Sequence, residues 1–136
     1  MVTTAERLKA AHLRVTTARV SILELLEAQA VPMAHTEILS RVPDLDRVTL
    51  YRVLDALVEA NLVHRVQGID AVWRFCAHAN DVTGCPGGHP HFMCERCGAM
   101  VCLTDQVLPH VDTPRGSVVS HKQMLLVGIC ETCQKA

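Results

Sequence analysis

In the first half of the chain apolar residues recur at helical spacing, and the residues between those stretches are ones that start and stop helices. Thr3 with Glu6 has the pattern of a capping box and predicts a short first helix. Thr16 or Thr17 caps a second, running through Ile22, Leu23, Leu25 and Leu26, and Pro32 separates it from a third. The third is expected over His35 to Val42, where Pro43 ends it. Asp44 or Asp46 then caps a fourth helix, whose Leu50, Val53, Leu54, Leu57 and Val58 keep the i, i+3, i+4, i+7, i+8 spacing up to a stop at Asn61. Beyond it the period changes. LVHRVQ (62–67) and AVWRFC (71–76) are rich in β-formers, are joined through Gly68-Ile69-Asp70, and predict a hairpin. Helices followed by a hairpin predict a winged helix-turn-helix over residues 1–77, with the fourth helix as its recognition helix.

Arg47, Thr49, Tyr51 and Arg52 lie largely off the apolar stripe of that helix. They suit phosphates and base edges, and they equally suit a solvated helix face. Arg7, Lys9, Arg14 and Arg19 cluster in the first nineteen residues against Glu6 alone. Elsewhere charge is balanced: residues 1–75 hold nine basic and nine acidic side chains, and the 136-residue chain has a net charge of -1. That balance excludes coating nucleic acid by bulk electrostatics and leaves local placement of charge as the means of binding it. With 49% hydrophobic and 20% charged residues, the chain is expected to bury a core. No apolar run approaches the roughly 18 residues that span a membrane, and Glu6 and Lys9 stand where a signal peptide would be apolar. A cytoplasmic location without membrane association is therefore expected. In a reducing compartment the seven Cys point to metal or thiol chemistry rather than to a disulfide framework.

All seven Cys follow residue 75, in a half that also holds six of the seven Gly. The change in composition predicts a second domain over 91–136, with a hinge at 78–90. Cys94-Glu95-Arg96-Cys97 and Cys130-Glu131-Thr132-Cys133 each offer two thiolates, and together they make a closed four-sulfur zinc site. The 32 residues between the pairs exceed the spacing of a simple zinc ribbon, so that stretch must hold structure of its own. A second half this small is marginal without a staple, which makes structural metal and oligomerisation both expected. A redox dithiol is the other reading, but one pair would suffice for it and neither pair opens a thioredoxin-like unit.

His64, Cys76, Cys85, His89, His91 and Cys102 remain as ligand candidates. A hairpin centred near Asp70 would set His64 beside Cys76. His89 and His91, spaced i, i+2, would point to one side of an extended segment, and Cys102 follows the first thiol pair by five residues. Taken singly, His64 reads as a surface strand histidine and Cys76 or Cys102 as a small buried hydrophobe. A mixed nitrogen and sulfur set drawn from wing, linker and second half is instead the arrangement of a sensor, filled only when those parts adopt one geometry.

LRVTTARVSILELL (13–26), VTLYRVLDALVEANLVHRV (48–66), HPHFMCERCG (89–98) and GICETC (128–133) resemble the successive signatures of the Fur-type ferric uptake regulators, and within them the zinc-sensing Zur branch. The resemblance covers most of the chain. It implies an α+β protein: an N-terminal winged helix that binds operator DNA, and a small C-terminal α/β dimerisation domain stapled by a four-cysteine zinc site. It implies a homodimeric repressor that acts when metal is bound. Cys94, Cys97, Cys130 and Cys133 match the structural zinc site, and His89 and His91 match the sensor histidines. Cys102 stands where many members have a carboxylate, and His64 and Cys76 match positions that Zur-like members use for zinc. A tetrahedral regulatory site needs four of these five. The recognition helix would present Thr49, Tyr51 and Arg52, with Arg14 and Arg19 at the backbone or minor groove.

The chain departs from the family pattern in places. Gly88 and Pro90 occupy positions that often ligate a further metal, leaving His110 and His121 as a possible remnant. Pro32 falls near where iron-sensing members supply a histidine, and Thr104 to Ser120, with Pro109, Pro114 and Gly116, is short for the usual dimerisation helix. Cys85-Pro86 matches the dipeptide of haem-regulated members. The expected function is zinc-responsive repression of zinc-homeostasis genes, with one structural and at least one regulatory zinc per chain. An iron or peroxide sensor is the neighbouring reading, and zinc storage is the reading from another class. A metal-dependent hydrolase would need a general base, and no Glu sits beside the histidine pair.

Overall fold

Each predicted helix forms, and three of the four carry the side-chain cap expected of them. The computed structural model describes residues 2–29, 31–77 and 89–136. In α1 (Thr4–Ala10) the capping box closes: the Thr3 hydroxyl accepts from the Glu6 N–H at 3.1 Å, and the Glu6 carboxylate accepts from the Thr3 N–H at 3.0 Å. Thr16 is the cap of α2 (Thr17–Glu27), accepting from the Arg19 N–H at 3.2 Å. α3 spans His35–Arg41, one residue short of the expected end, because Val42 leaves the helical region, at φ -129° and ψ 69°, ahead of Pro43. Of the two candidate aspartates, Asp46 caps α4 (Arg47–Glu59), accepting from the Thr49 N–H at 3.3 Å. Asn61 reverses the chain after α4 in the left-handed region, at φ 61°.

The apolar faces meet as the periodicity requires. Leu8, Ile22, Leu23, Leu26, Ile38, Leu50, Leu54 and Leu57 form one buried cluster, closed from the wing side by Val63 and Phe75. The wing is β2 (His64–Gln67) paired antiparallel with β3 (Trp73–Cys76), in the register that sets His64 opposite Cys76. Its connection runs over residues 68–72 rather than the three residues expected, since Ala71 at φ 66° and an Asp70–Arg74 ion pair at 2.7 Å shape a wider turn. A third strand, β1 (Met33–Ala34), pairs with β3 and was not expected; two residues are too few to show a period.

The second unit is a three-stranded sheet of order β5-β4-β6, made by β4 (His91–Cys94), β5 (Met100–Cys102) and β6 (Leu125–Gly128), followed by α5 (Glu131–Lys135). β4 runs antiparallel to β5 and parallel to β6. Between β5 and β6 the chain forms turns and extended stretches without a helix, in keeping with its prolines. The α+β class and the winged helix-turn-helix are thus as expected.

The wing rests on this second sheet. Val66 is buried against Met93 and Met100, with Leu125 alongside. Gln123 lies along the outer side of β2: the Gln67 N–H donates to Gln123 Oε1 at 2.8 Å, and Gln123 Nε2 donates to the Gln67 carbonyl at 2.9 Å. Gly68 permits the close approach, because a Cβ there would stand 2.5 Å from the Arg74 guanidinium and 3.0 Å from Met93 Sδ.

Candidate metal centres and nucleic-acid interface

Strand β4 carries a metal-ligand candidate at each end. At its C-terminal end Cys94 meets Cys97, on the turn that follows, and Cys130 and Cys133, which come from the N-terminal side of α5 and within it. The parallel register of Cys94 with Gly128 brings the two halves of the site together. The four sulfurs lie within 4.8 Å of one another, and Cys97 and Cys130 approach to 3.8 Å. A tetrahedral zinc with bonds of about 2.3 Å has edges of about 3.8 Å, so the spacing fits the ion.

The electrostatics point the same way. Backbone N–H groups of Cys97 and Cys130, each at 3.4 Å, donate to Cys94 Sγ and draw its thiol down to about 6. Cys133 is pushed up to about 12, first by its hydrogen bond with Cys130 and then by burial and the other two thiols. Four thiolates this close repel one another unless a cation stands among them.

At the N-terminal end of β4 lies the second group. Ligand atoms of Cys76, His89, His91 and Cys102 are within 4.8 Å of one another, and the first three residues are buried. Antiparallel register sets His91 opposite Cys102. Cys76 Sγ is 3.5 Å from His91 Nε2 and 4.0 Å from His89 Nε2, and the two imidazoles are 4.6 Å apart at their centroids. Four of the five expected sensor residues are thereby brought together.

His64 flanks that group without entering it. It lies opposite Cys76, its carbonyl accepts from the Cys76 thiol at 3.8 Å, and its ring stands 6.2 Å from that of His89. His110 and His121 do not meet: His110 pairs with Asp112 at 2.9 Å, and His121 stands edge-on to Trp73 at 6.3 Å. Cys85 and Gly88, with most of the expected hinge, lie outside the described residues.

On the other side of the winged helix, α4 exposes Arg47, Val48, Tyr51 and Arg52. Thr49 is half-buried, and its hydroxyl is engaged with Asp46 at the helix cap, so it contributes to the start of the helix. Arg14 is exposed, and the Arg19 guanidinium donates to the Arg14 backbone carbonyl at 2.8 Å, which fixes Arg19 against the segment that carries Arg14. Arg7 is instead committed to Glu27, a pairing that raises its already high basicity. Sequence reasoning missed Val48, the Gln67–Gln123 contact and the position of His35, whose ring packs against Tyr51.

A winged helix-turn-helix attached to a sheet that bears two clusters of thiols and imidazoles defines a metal-responsive transcriptional regulator. Residues 10–124 match the ferric uptake regulator family, and the chain belongs to that family. It is 31% identical to the transcriptional regulator FurA of Mycobacterium tuberculosis, over 95% of this chain and 88% of that protein. To the peroxide operon regulator of Bacillus subtilis it is 30% identical, over 96% of this chain and 90% of that one. Its fold is similar to that of a zinc uptake regulator complexed with zinc and DNA, at a TM-score of 0.62 and 22% identity over 99% of this chain and 97% of that one. Members of the family are regulators rather than enzymes, and no helix among the described residues is long and apolar enough to cross a membrane.

Proposed function

We propose that the chain is a zinc-responsive repressor that binds operator DNA as a homodimer. The observation that carries this reading is the donor set of Cys76, His89, His91 and Cys102, two thiols and two imidazoles gathered within 4.8 Å. Thiolate donors favour zinc over ferrous iron or manganese, which suit nitrogen and oxygen. Zinc, when bound, would supply a closed tetrahedral cross-link with no open coordination position. Cys76 belongs to the wing, His91 and Cys102 to the second sheet, and His89 to the segment leading into β4, so the four meet only when the wing is docked. A ligand of the docked form raises its population by its differential affinity for that form. Cys94, Cys97, Cys130 and Cys133 would hold the structural zinc.

Docking fixes where α4 stands relative to the second unit, and hence the spacing of two recognition helices in a dimer. Two half-sites roughly 34–36 Å apart can then be engaged together. Exposed Val101, Val107, Val111, Val118 and Leu126 give the second unit an apolar surface suited to a second copy of the chain. On α4, Tyr51 can pack on thymine methyls and Arg52 can reach a guanine edge or phosphate, while Arg14 and Arg19 suit the DNA backbone or minor groove.

Elemental analysis of the dimer before and after mild chelation, paired with binding to an operator library, tests the reading. One zinc per chain should survive chelation, and a second should be lost together with DNA binding. Cys76→Ser should abolish zinc-dependent binding while the four-cysteine site stays filled; a normal zinc response in that variant refutes the proposal. A sensor of iron or peroxide is the second reading, favoured by the names of the relatives at 30% and 31% identity. Restoration of binding by ferrous iron alone, near its free cellular level, would establish it.

A further inference from the structure

His35 begins α3 immediately after β1, and the pairing of Met33 with Phe75 brings it against the wing. Its ring meets Phe75 edge to face, with centroids 4.9 Å apart and an interplanar angle of 70°. On its other side it meets Tyr51 of α4 at 4.5 Å and 87°. Both contacts have the T-shaped geometry that aromatic pairs prefer. Phe75 is 6% exposed and Tyr51 39%, so the three rings make a column that starts in the core and ends at the surface of the recognition helix. Phe75 and Cys76 are consecutive on β3 and point to opposite faces, one toward His35 and the other into the cluster with His89 and His91. Desolvation lowers the His35 imidazole below its ordinary value despite Asp55, and Arg47 adds to that effect.

We propose that His35 is a positioning residue for DNA recognition: its ring fixes Tyr51 on the exposed face of α4 and ties that face to the strand carrying Cys76. The inference rests on the operator-binding reading above and adds to it a residue that would touch neither DNA nor metal. Without an aromatic at position 35, Tyr51 loses its only described ring partner and can rotate off the base edges. Loss of one aromatic pair corresponds to roughly twofold to twelvefold in affinity.

The test uses the full-length zinc-loaded protein and a duplex selected by it from a random library, in two versions: one with thymine and one with deoxyuridine, which lacks the C5 methyl. His35→Leu keeps an apolar side chain of similar size and removes the ring, and His35→Phe restores a ring that cannot titrate. His35→Leu should weaken binding to the thymine duplex by roughly twofold to twelvefold and bring the thymine-to-deoxyuridine ratio toward one. His35→Phe should stay within about twofold of wild type in both, and the double variant His35→Leu with Tyr51→Ala should bind no worse than Tyr51→Ala alone. Zinc content should be unchanged in every variant. The proposal is overturned if His35→Leu keeps the wild-type thymine preference, or if His35→Phe loses as much as His35→Leu. Failure of the wild-type protein to select any duplex would instead defeat the operator-binding reading itself, and with it this inference.

Discussion

Replacing Gln123 by alanine should weaken metal binding at Cys76, His89, His91 and Cys102 and leave the Cys94, Cys97, Cys130 and Cys133 site unchanged. Gln123 exchanges two hydrogen bonds with the Gln67 backbone, at 2.8 and 2.9 Å, and both are open to solvent. Each is therefore placed at the low end of the usual net value, about 0.5 kcal/mol, and the pair at about 1 kcal/mol. The variant keeps the contact of Val66 with Met93 and Met100, so the wing still docks, but less firmly. Cys76 reaches its three partners only in the docked form. With docking marginal in the metal-free protein, the whole loss falls on the affinity of the bridging site, about fivefold. All four cysteines of the other group come from the second unit, which makes that group an internal control in the same sample. A chelator competition resolved into two sites measures both affinities at once. Equal weakening of the two sites, or an unchanged bridging site, would refute the reasoning.

Other substitutions separate the roles of the parts. Cys130→Ser should remove the metal staple from a unit too small to stand without one, so hydrogen exchange should show protection lost over residues 89–136 and kept in α2 and α4; retained protection in the second unit would mean that its sheet needs no metal. Leu57→Ala, at a fully buried position, should cost about 2–5 kcal/mol in urea unfolding, whereas Val48→Ala on the exposed side of the same helix should cost less than about 0.5 kcal/mol. Asp70 is held down to about 2 by Arg74 and by the Val72 N–H, below the 3.8 of an unfolded chain. Its contribution to stability is present above pH 3.8 and is lost as pH falls through about 2, so the difference in melting temperature between wild type and Asp70→Asn should be full at pH 5 and shrink markedly by pH 2. A gap as large at pH 2 as at pH 5 would assign the loss to something other than the carboxylate.

How much of this was legible depends on how local each signal is. The α4 stripe from Leu50 to Val58 lies within one element, and its cap at Asp46 is three residues from the N–H it accepts, so periodicity and cap chemistry together located the helix. Hairpin register was legible for a similar reason, since a reversal centred near Asp70 sets His64 opposite Cys76 even though the connection is longer than the three residues expected. β1 was not, because Met33–Ala34 becomes a strand only through β3, some forty residues later. Spacing identified both thiol pairs and the His89–His91 pair, but the gathering of Cys76, His89, His91 and Cys102 within 4.8 Å depends on the docking of two sheets, and the His64 ring stands 6.2 Å from that of His89. Thr49 shows that one position can carry two signals: its place off the apolar stripe suits a DNA contact, and a threonine three residues after Asp46 also completes the helix cap, where its hydroxyl meets the Asp46 carboxylate. Gln123 carried no signal at all, being an ordinary polar residue whose partner is 56 positions away.

The same glutamine bears on the fate of the metal-free protein. With strand order β1-β3-β2, β2 ends its sheet, and an open strand edge is a template for pairing with other chains. Gln67 presents its N–H and carbonyl on that open side, and the Gln123 side chain occupies both. A wing that swings free would bare this edge beside Val66, which is buried when docked. Metal starvation would then expose the chain to self-association as well as release it from DNA. Selection on the Gln67–Gln123 contact would in that case act on solubility, in the very state in which the regulator has left its operator.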